Sequence, residues 1–487
     1  MSEIAVPNSA KPVPGGARDA ARNGARNGAR SGVPVPVQAP AAPASLLDRA
    51  LARIASVWRD MAAAVGGEDE GIEAQMQACL AGRGGEVSAR NRAARLAQSY
   101  LARDDAGRRE FLSILATFDA PAAAIRNQAA ELADNDPLAL ARLRRTLEPP
   151  RRRLLTQFTS IPDGMRFLVD LRAALLALGR EDQALAALED DLKTLLAGWF
   201  DIGFLELRQI DWSSPASLLE KLVGYEAVHE IRSWRDLKNR LDSDRRCYAF
   251  FHPRMPTEPL IFVEVALVAG IAGSIQRLLD THAPAADPAR ADSAIFYSIS
   301  NCQRGLNGIS FGNFLIKRVV DLLSQELPNL RHFATLSPIP GLRAWLDKAL
   351  AAEPGKLLSA EELVAIAGAE GLAATLERRA WPREPATVRL LEPILPRLAA
   401  RYLLGESRGA RALDPVAHFH LANGASVERI NWLADTSDKG LRESAGLMVN
   451  YLYDPERIDQ NHEDYAGEGK RNASTAVRRL ARARSGA

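Results

Sequence analysis

The stretch AIFYSISNCQRGLNGISFGNFLIKRVVDLL, residues 294–323, predicts a β-strand, a glycine-rich loop and an amphipathic α-helix in direct succession. The loop contains Gly305, Gly308 and Gly312, which let a backbone approach a ligand closely. Free N–H groups at the start of the helix, and the positive end of its dipole, favour an anion there. The loop is not GxxxxGK(S/T), because Lys317 comes too late, nor GxGxxG. Its shape alone therefore fits a phosphate site and a plain structural turn about equally well.

Short segments rich in β-branched and aromatic residues lie on both sides of this loop and are typical of strands. They are CYAFFH (247–252), PLIFVEVAL (259–267), AIFYSIS (294–300) and RHFATLSPI (331–339). Helical stretches intervene, and such alternation predicts a mixed α/β domain with a buried sheet over residues 201–468. A further helical stretch at 360–406 reads as an insertion within this catalytic half.

Residues 46–200 have apolar residues at helical spacing and no strand-like runs, a pattern that predicts an all-helical bundle. In FLVDLRAALLALG, the residues Leu168, Leu171, Leu175 and Leu178 form one apolar helix face, which Gly179 ends. The fold class is therefore α + α/β, with a helical N-terminal domain followed by a mixed catalytic domain.

The two ends of the chain lack apolar periodicity. Residues 1–45 carry ARNG near-repeats and a VPVPVQAP stretch, which cannot bury enough surface to offset chain entropy, so we expect a disordered tail. Residues 469–487 are basic and predict a solvated C-terminal tail.

The overall composition excludes several classes of protein. A net charge of +2 gives no general preference for nucleic acid or membranes. The three cysteines are far apart with no CxxC pair, which argues against a disulfide framework or a zinc ribbon and fits a reducing compartment. The longest apolar run, PLIFVEVALVAGIAG, is interrupted by a charge and glycines, so no transmembrane helix is expected.

Ser337 and two histidines are the first candidates for chemistry. Ser337 ends a predicted strand before Pro338, without a G-x-S-x-G elbow, so a lipase-like nucleophile is disfavoured. In HFHLANGA (418–425), a strand reading would put His418 and His420 on one face. Structural, acid–base and metal-binding roles all stay open for these histidines, although no third metal ligand is apparent.

The next segment, SDKGLRESAGLMVNYLYD, predicts a helix with Leu441, Ala445, Met448 and Leu452 on one face. Tyr451 and Tyr453 flank that face. A tyrosine hydroxyl can orient a reacting carbonyl, although core tyrosines with a hydrogen-bonded tip are commoner.

Four stretches occur in an order that closely resembles malonyl-CoA decarboxylases: FYSISNCQRGLNGISFGNFLIKRVV, LSPIPGLRAWL, DPVAHFHLANGASVERINWLAD and GLMVNYLY. The helical stretch ARLAQSYLARDDAGRREFLSILATF is similar too, so the resemblance covers roughly residues 45–466. It implies a helical domain used in self-association, as a dimer of dimers or tetramer. It also implies a catalytic domain of the GNAT acyltransferase fold.

The resemblance also implies the site. The loop Asn307, Gly308, Ile309, Ser310, Phe311, Gly312 and Asn313 would hold the CoA phosphates and the pantetheine arm. The catalytic serine matches Ser337, the catalytic histidine matches His420 rather than His418, and a tyrosine near the thioester matches Tyr453. Some members carry a glutamate where this chain has Ser310, so no role of that carboxylate transfers here.

These residues suit the conversion of malonyl-CoA to acetyl-CoA and CO2. Loss of CO2 leaves an enolate, whose oxygen a hydrogen-bond donor stabilises. We expect Ser337 to bond the malonyl carboxylate or the thioester, His420 to stabilise the oxyanion and deliver the proton, and Tyr453 to orient the substrate. Because the thioester is itself the electron sink, no metal or other cofactor is expected.

Two other functions remain as alternatives. A CoA-dependent acyltransferase on the same fold would transfer an acetyl group to an amine, and an acyl-CoA-binding sensor would bind without turnover. The expected partners are malonyl-CoA and further copies of the chain, with no nucleic acid and no membrane. The Ala/Arg/Gly-rich composition and the lack of a C-terminal Ser-Lys-Leu signal suggest a bacterial cytoplasmic protein.

Overall fold

The computed structural model describes residues 58–61, 71–132, 136–179, 181–309, 314–367 and 371–483. The expected disordered segment 1–45 lies outside these residues. Within the described residues, no helix combines the length and the apolar character that a membrane span requires.

The N-terminal part of the described chain is helical, as predicted. Its helices are α1 Ile72–Ala81, α2 Glu86–Leu101, α3 Asp105–Thr117, α4 Ala122–Ala130, α5 Pro137–Leu147, α6 Pro150–Gln157, α7 Gly164–Leu178 and α8 Gln183–Trp199. The predicted apolar face of α7 is confirmed, because Leu168, Leu171 and Leu175 are buried. Gly179 ends that helix with a φ of 77°, a conformation that glycine adopts without steric cost.

The second half is built on a mixed sheet. Its strands are β1 Glu206–Ile210, β2 Arg245–His252, β3 Met255–Val268, β4 Ser293–Asn301, β5 His332–Thr335, β6 Ser337–Pro338, β9 Ser426–Asn431 and β10 Met448–Leu452. They run in the order β1-β2-β3-β4-β5-β10-β6, with β9 paired to β10. All neighbours are antiparallel except β4 and β5, which are parallel. A separate hairpin consists of β7 Ser407–Arg408 and β8 Arg411–Ala412.

Helices connect and cover these strands. They are α9 Ala216–Tyr225, α10 Trp234–Arg240, α11 Ile275–Leu278, α12 Phe314–Glu326, α13 Leu342–Ala352, α14 Ala360–Ala367, α15 Leu372–Glu377, α16 Pro385–Leu391, α17 Ile394–Gly405, α18 Pro415–Ala422, α19 Asp438–Ser444, α20 Ile458–Glu468 and α21 Thr475–Arg482. Helices α14 to α17 form the predicted insertion between β6 and the hairpin. The α + α/β fold class is confirmed.

The helical half packs directly on the base of the glycine-rich loop. Nη1 of Arg172, on α7, donates to the carbonyl oxygen of Gly305 at 2.5 Å. A Cβ atom at Gly305 would come within 1.8 Å of the carbonyl oxygen of Val169. Arg172 is buried and also pairs with Glu189 at 2.8 Å. The N-terminal helices therefore support the segment that was predicted to bind CoA.

The predicted helix at SDKGLRESAGLMVNYLYD is wrong in its second half. Helix α19 stops because Ala445 and Gly446 adopt φ values of 50° and 77°, which break the helical repeat. The chain then enters β10 in the middle of the sheet, and its residues alternate between two buried faces.

The expected solvated tail at 469–487 is also wrong where the structure describes it. The N–H of Val427 donates to the carbonyl of Asn472, and the N–H of Ser474 donates back to Val427. Helix α21 follows, with Val477 buried. Its basic residues lie on the outer side of an amphipathic helix, and the few apolar ones dock it on the domain.

Candidate active site

Ser337, His420 and Tyr453 form a continuous hydrogen-bonded row. Oγ of Ser337 lies 3.1 Å from Nε2 of His420, and Nδ1 of the same ring lies 2.8 Å from the hydroxyl of Tyr453. Ser337 belongs to β6, His420 to α18, and Tyr453 follows β10 directly. The three residues assigned by resemblance are thus brought together, although they are far apart in the sequence.

The histidines lie on a helix rather than on the strand that the alternation of VAHFHL suggested. The side chain of Asp414 accepts hydrogen bonds from the N–H groups of Val416 and Ala417, and Pro415 occupies the first helical position. Residues two apart on a helix do not face each other. His420 is therefore buried in the row, whereas His418 is half-buried and bonds elsewhere. The prediction that both histidines lie on one face of a strand is therefore wrong. The argument for a metal site that used this placement no longer holds.

The direction of the hydrogen bonds defines the tautomer of His420. The hydroxyl of Ser337 donates to Oγ1 of Thr335 at 2.9 Å, so its oxygen accepts from Nε2–H of His420. Nδ1 is then unprotonated and accepts from the hydroxyl of Tyr453. The row thus presents an Nε2–H donor next to Ser337.

Burial keeps both ionisable members of this row neutral. It lowers the pKa of His420 to about 3, far below the ordinary value for histidine. It raises the pKa of Tyr453 well above the usual range for a phenol. The site therefore holds a neutral imidazole at physiological pH.

Tyr451 holds the imidazole ring from its face. The two rings are stacked with centroids 4.5 Å apart and an interplanar angle of 25°. The backbone N–H of Tyr451 donates to Oγ1 of Thr335. Its hydroxyl is buried and has no hydrogen-bond partner among the described residues. Tyr451 therefore restrains the ring by packing rather than by hydrogen bonding.

A cavity of about 740 Å³ opens beside the row. Ser337 and His420 line it, as do Gly308 and Ile309 from the glycine-rich loop, and Phe419 from α18. Its volume is in the usual range for small-molecule and cofactor sites. One space thus joins the imidazole, the serine and the loop, an arrangement that suits a long substrate with an anionic tail.

Tyr453 does not belong to the described lining of this cavity. Its side chain is fully buried behind the imidazole. Its hydroxyl contacts Nδ1 of His420, and its expected role in orienting the substrate stays a prediction.

The loop predicted to bind CoA is described in its first part. Asn307 and Gly308 are exposed, and Gly308 has a φ of 74°, in the left-handed region that favours glycine. Ile309 is buried against the core. The other predicted residues of the loop, Ser310, Phe311, Gly312 and Asn313, lie outside the described residues. Helix α12 begins immediately after them.

Two contributors to the row were missed in the sequence. Thr335 precedes Ser337 by two positions, so the twofold period of a strand could have placed both on one face. Tyr451 was noted only as flanking a helix, because the strand β10 was not recognised. No group of three His, Cys, Asp or Glu side chains in the described ranges is arranged to hold a metal ion.

Comparisons with known proteins agree with this geometry. The sequence model for the malonyl-CoA decarboxylase C-terminal domain matches residues 203–486, and the model for the N-terminal domain matches residues 118–200. The mitochondrial malonyl-CoA decarboxylase of Mus musculus is 42% identical over 357 residues, which cover 69% of this chain and 72% of that protein. The corresponding protein of Anser anser anser is 40% identical, over 69% of this chain and 70% of its own length.

Solved structures give the same result. The crystal structure of malonyl-CoA decarboxylase from Agrobacterium vitis is 44% identical with a TM-score of 0.78, covering 84% of this chain and 99% of that one. The structure from Rhodopseudomonas palustris is 42% identical with a TM-score of 0.78, covering 84% of this chain and 98% of that one. The chain belongs to the malonyl-CoA decarboxylase family.

Proposed function

We propose that this chain converts malonyl-CoA to acetyl-CoA and CO2 in the cavity beside Ser337 and His420. The observation that carries this function is that one cavity joins the Nε2–H donor of His420 to the glycine-rich loop at Gly308 and Ile309. Membership in the family supports the same reaction, because the relatives are malonyl-CoA decarboxylases.

The bond that breaks joins the α-carbon of the malonyl group to its carboxylate carbon. Its electron pair moves into the thioester and forms an enolate, while the carboxylate leaves as CO2. A neutral Nε2–H of His420 stabilises the enolate oxygen, as preorganised donors do in oxyanion holes. When the substrate binds, the hydroxyl of Ser337 turns from Thr335 and Nε2 of His420 to the carboxylate or the thioester. This turn frees Nε2–H for the enolate oxygen, and the new bond holds the malonyl group in the reactive conformation.

Proton delivery to the α-carbon completes acetyl-CoA. His420 supplies the proton from Nε2, because the enolate carbon is a stronger base than the resulting imidazole anion. The hydroxyl of Tyr453 donates to Nδ1 and stabilises negative charge on the ring during this step. Solvent then returns a proton to Nε2. The thioester acts as the electron sink throughout, so the mechanism uses no cofactor.

Incubation of the purified protein with malonyl-CoA, followed by measurement of CO2 and acetyl-CoA, tests the function. We expect His420→Gln to lose turnover by about 10²- to 10⁴-fold, the usual contribution of one general acid. His282→Gln is the matched control, because the side chain of His282 is 78% exposed and its ion-pair partner is Asp280 on the surface. Acetyl transfer to an amine would instead identify an acyltransferase, and binding without product would identify a sensor.

We also propose that the chain self-associates through its helical domain. Helix α5 buries only Ala139. It exposes Leu140 and Leu147, which lie on one side of the helix with the half-buried Leu143 between them, and an exposed apolar stripe of this kind is typical of an association surface. Replacing Leu140 and Leu147 by glutamate should reduce the particle mass measured by sedimentation, and an unchanged mass would contradict this surface. We propose that the assembly is a tetramer. We also propose a cytoplasmic location, because the three cysteines are buried free thiols, which fits a reducing compartment.

A further inference from the structure

Arg411 is the one cationic side chain among the described residues that line the cavity. It lies on β8 and is exposed, with no ion-pair partner in the described part of the chain. Its direct cross-strand neighbour is Arg408. Like charges in this position destabilise a hairpin. An anionic ligand at Arg411 would relieve that repulsion.

His418 lies on the same cavity wall and is tied to this hairpin. The N–H of Ala412, next to Arg411, donates to the hydroxyl of Tyr465 at 2.8 Å. That hydroxyl lies 2.9 Å from Nδ1 of His418. Because its oxygen accepts from Ala412, its proton is available to Nδ1, which leaves the Nε2 nitrogen of His418 as a donor.

The two groups differ in charge. Burial and the charge of Arg411 lower the pKa of His418, so the imidazole is neutral at pH 7. Arg411 then supplies the positive charge and His418 a neutral N–H. A guanidinium beside a neutral donor suits phosphate oxygens, which accept several hydrogen bonds at once.

Malonyl-CoA carries negative charge at both ends. The difference in burial across the site indicates where each end lies. Ser337 and His420 are only 6% and 3% exposed, whereas Arg411 is exposed. The reacting carboxylate must reach the buried row, while the nucleotide tail extends toward solvent. No acidic side chain lines the described wall, so the tail meets no repulsion there.

We propose that Arg411, assisted by His418, binds a phosphate of the nucleotide tail of the CoA substrate. This assignment rests on the proposed function and adds a contact on the hairpin to the one expected at the glycine-rich loop. It assigns a task to the second histidine of HFHLANGA that is separate from catalysis. Tyr465 is a positioning residue, because its hydroxyl links His418 to the backbone of Ala412, next to Arg411.

The test compares substrates with and without the tail. We expect Arg411→Gln to raise the KM for malonyl-CoA by about tenfold or more, the usual effect of losing a charge-assisted hydrogen bond, with kcat little changed. With malonyl-pantetheine, which lacks the phosphates, Arg411→Gln and the unmodified protein should have the same kcat/KM. That equality also shows that the variant is folded. Dephospho-malonyl-CoA then distinguishes the 3′-phosphate from the diphosphate.

Arg408→Gln is the matched control, because it removes the same charge from the same hairpin at a residue outside the described lining. It should change the KM for malonyl-CoA much less than Arg411→Gln does. An equal loss with both substrates, or no loss with either, would overturn the assignment. Calorimetry with CoA and with pantetheine makes the same comparison without turnover. A protein that binds CoA through Arg411 but does not decarboxylate malonyl-CoA would therefore contradict the proposed function and not this assignment.

Discussion

The hydroxyl of Tyr453 lies 2.8 Å from Nδ1 of His420, at the nitrogen opposite the one that meets Ser337. Together with the hydrogen bond that Ser337 donates to Thr335, this contact assigns the ring proton to Nε2. A buried imidazole with Nε2 protonated can act as a donor without bearing charge. We therefore expect Tyr453 to act on the reaction through the histidine.

Tyr453→Phe should lower kcat by about tenfold with little change in KM, because Nδ1 loses its donor and the tautomer is no longer fixed. Nitrogen-15 NMR of the imidazole should show the Nε2–H tautomer in the unmodified protein and a mixture in the variant.

Tyr451→Phe provides the control for that change. The side chain is equally buried and lies two residues away, but its hydroxyl has no partner among the described residues. Its removal should leave kcat and the tautomer unchanged, and the Tm unchanged or slightly higher. Equal losses of kcat in the two variants would contradict a specific role for the hydroxyl of Tyr453.

Acidification should destabilise the protein partly through His420. Its pKa is about 3 in the folded chain and about 6.5 in the unfolded chain, so between these values only the unfolded chain binds the proton. The contribution is complete above pH ~6.5, and stability falls as the pH drops toward 3, by at most about 1.4 kcal/mol per pH unit. His420→Gln should flatten the dependence of Tm on pH over this window. Parallel curves for the variant and the unmodified protein would show that the ring is protonated in the folded state.

Asp414→Ala should reduce both stability and turnover. The carboxylate caps α18, and it also accepts a hydrogen bond from the N–H of Gly341 next to α13. Loss of a cap costs about 1 kcal/mol, and here the freed helix carries His420. Asp182→Ala is the matched control, because it removes the equivalent cap of α8. Both variants should lower the Tm, and only Asp414→Ala should lower kcat.

Arg172→Met should destabilise the protein by up to about 3–5 kcal/mol, because it removes one buried ion-pair partner of the carboxylate of Glu189. It also removes the donor to the carbonyl of Gly305, so the KM for malonyl-CoA should rise. Arg90→Met, which breaks the exposed pair with Glu86, should change neither quantity measurably. Chemical denaturation and steady-state kinetics check both. A KM that stays constant in Arg172→Met would show that the contact between the helical domain and the loop does not affect substrate binding.

The sequence predicted the strands around the glycine-rich loop well, because their β-branched runs are long and end at clear turns. The alternation in VAHFHL led to the wrong prediction of a strand, because the same residues also fit a short buried helix. The decisive signal was Asp414-Pro415, an N-cap followed by proline at the first helical position. At Ala445-Gly446 a helix changes into a strand within two residues, and the apolar residues fit both periods. The row itself was found only through resemblance, because Thr335, Ser337, His420 and Tyr453 meet through long-range pairing that no local pattern encodes.

The row is anchored in the pairing of strands. Val449 pairs with Ser337, and the N–H of Tyr453 donates to the carbonyl of Phe333 on β5. A slip of one residue along β10 would turn every side chain of that strand to the opposite face. Tyr451 and Tyr453 would then both leave the imidazole, although the glycine-rich loop and the hairpin that line the cavity are not part of this strand. Variants deep in the sheet can therefore silence this enzyme while the substrate still binds, and such losses would report misalignment of the strand.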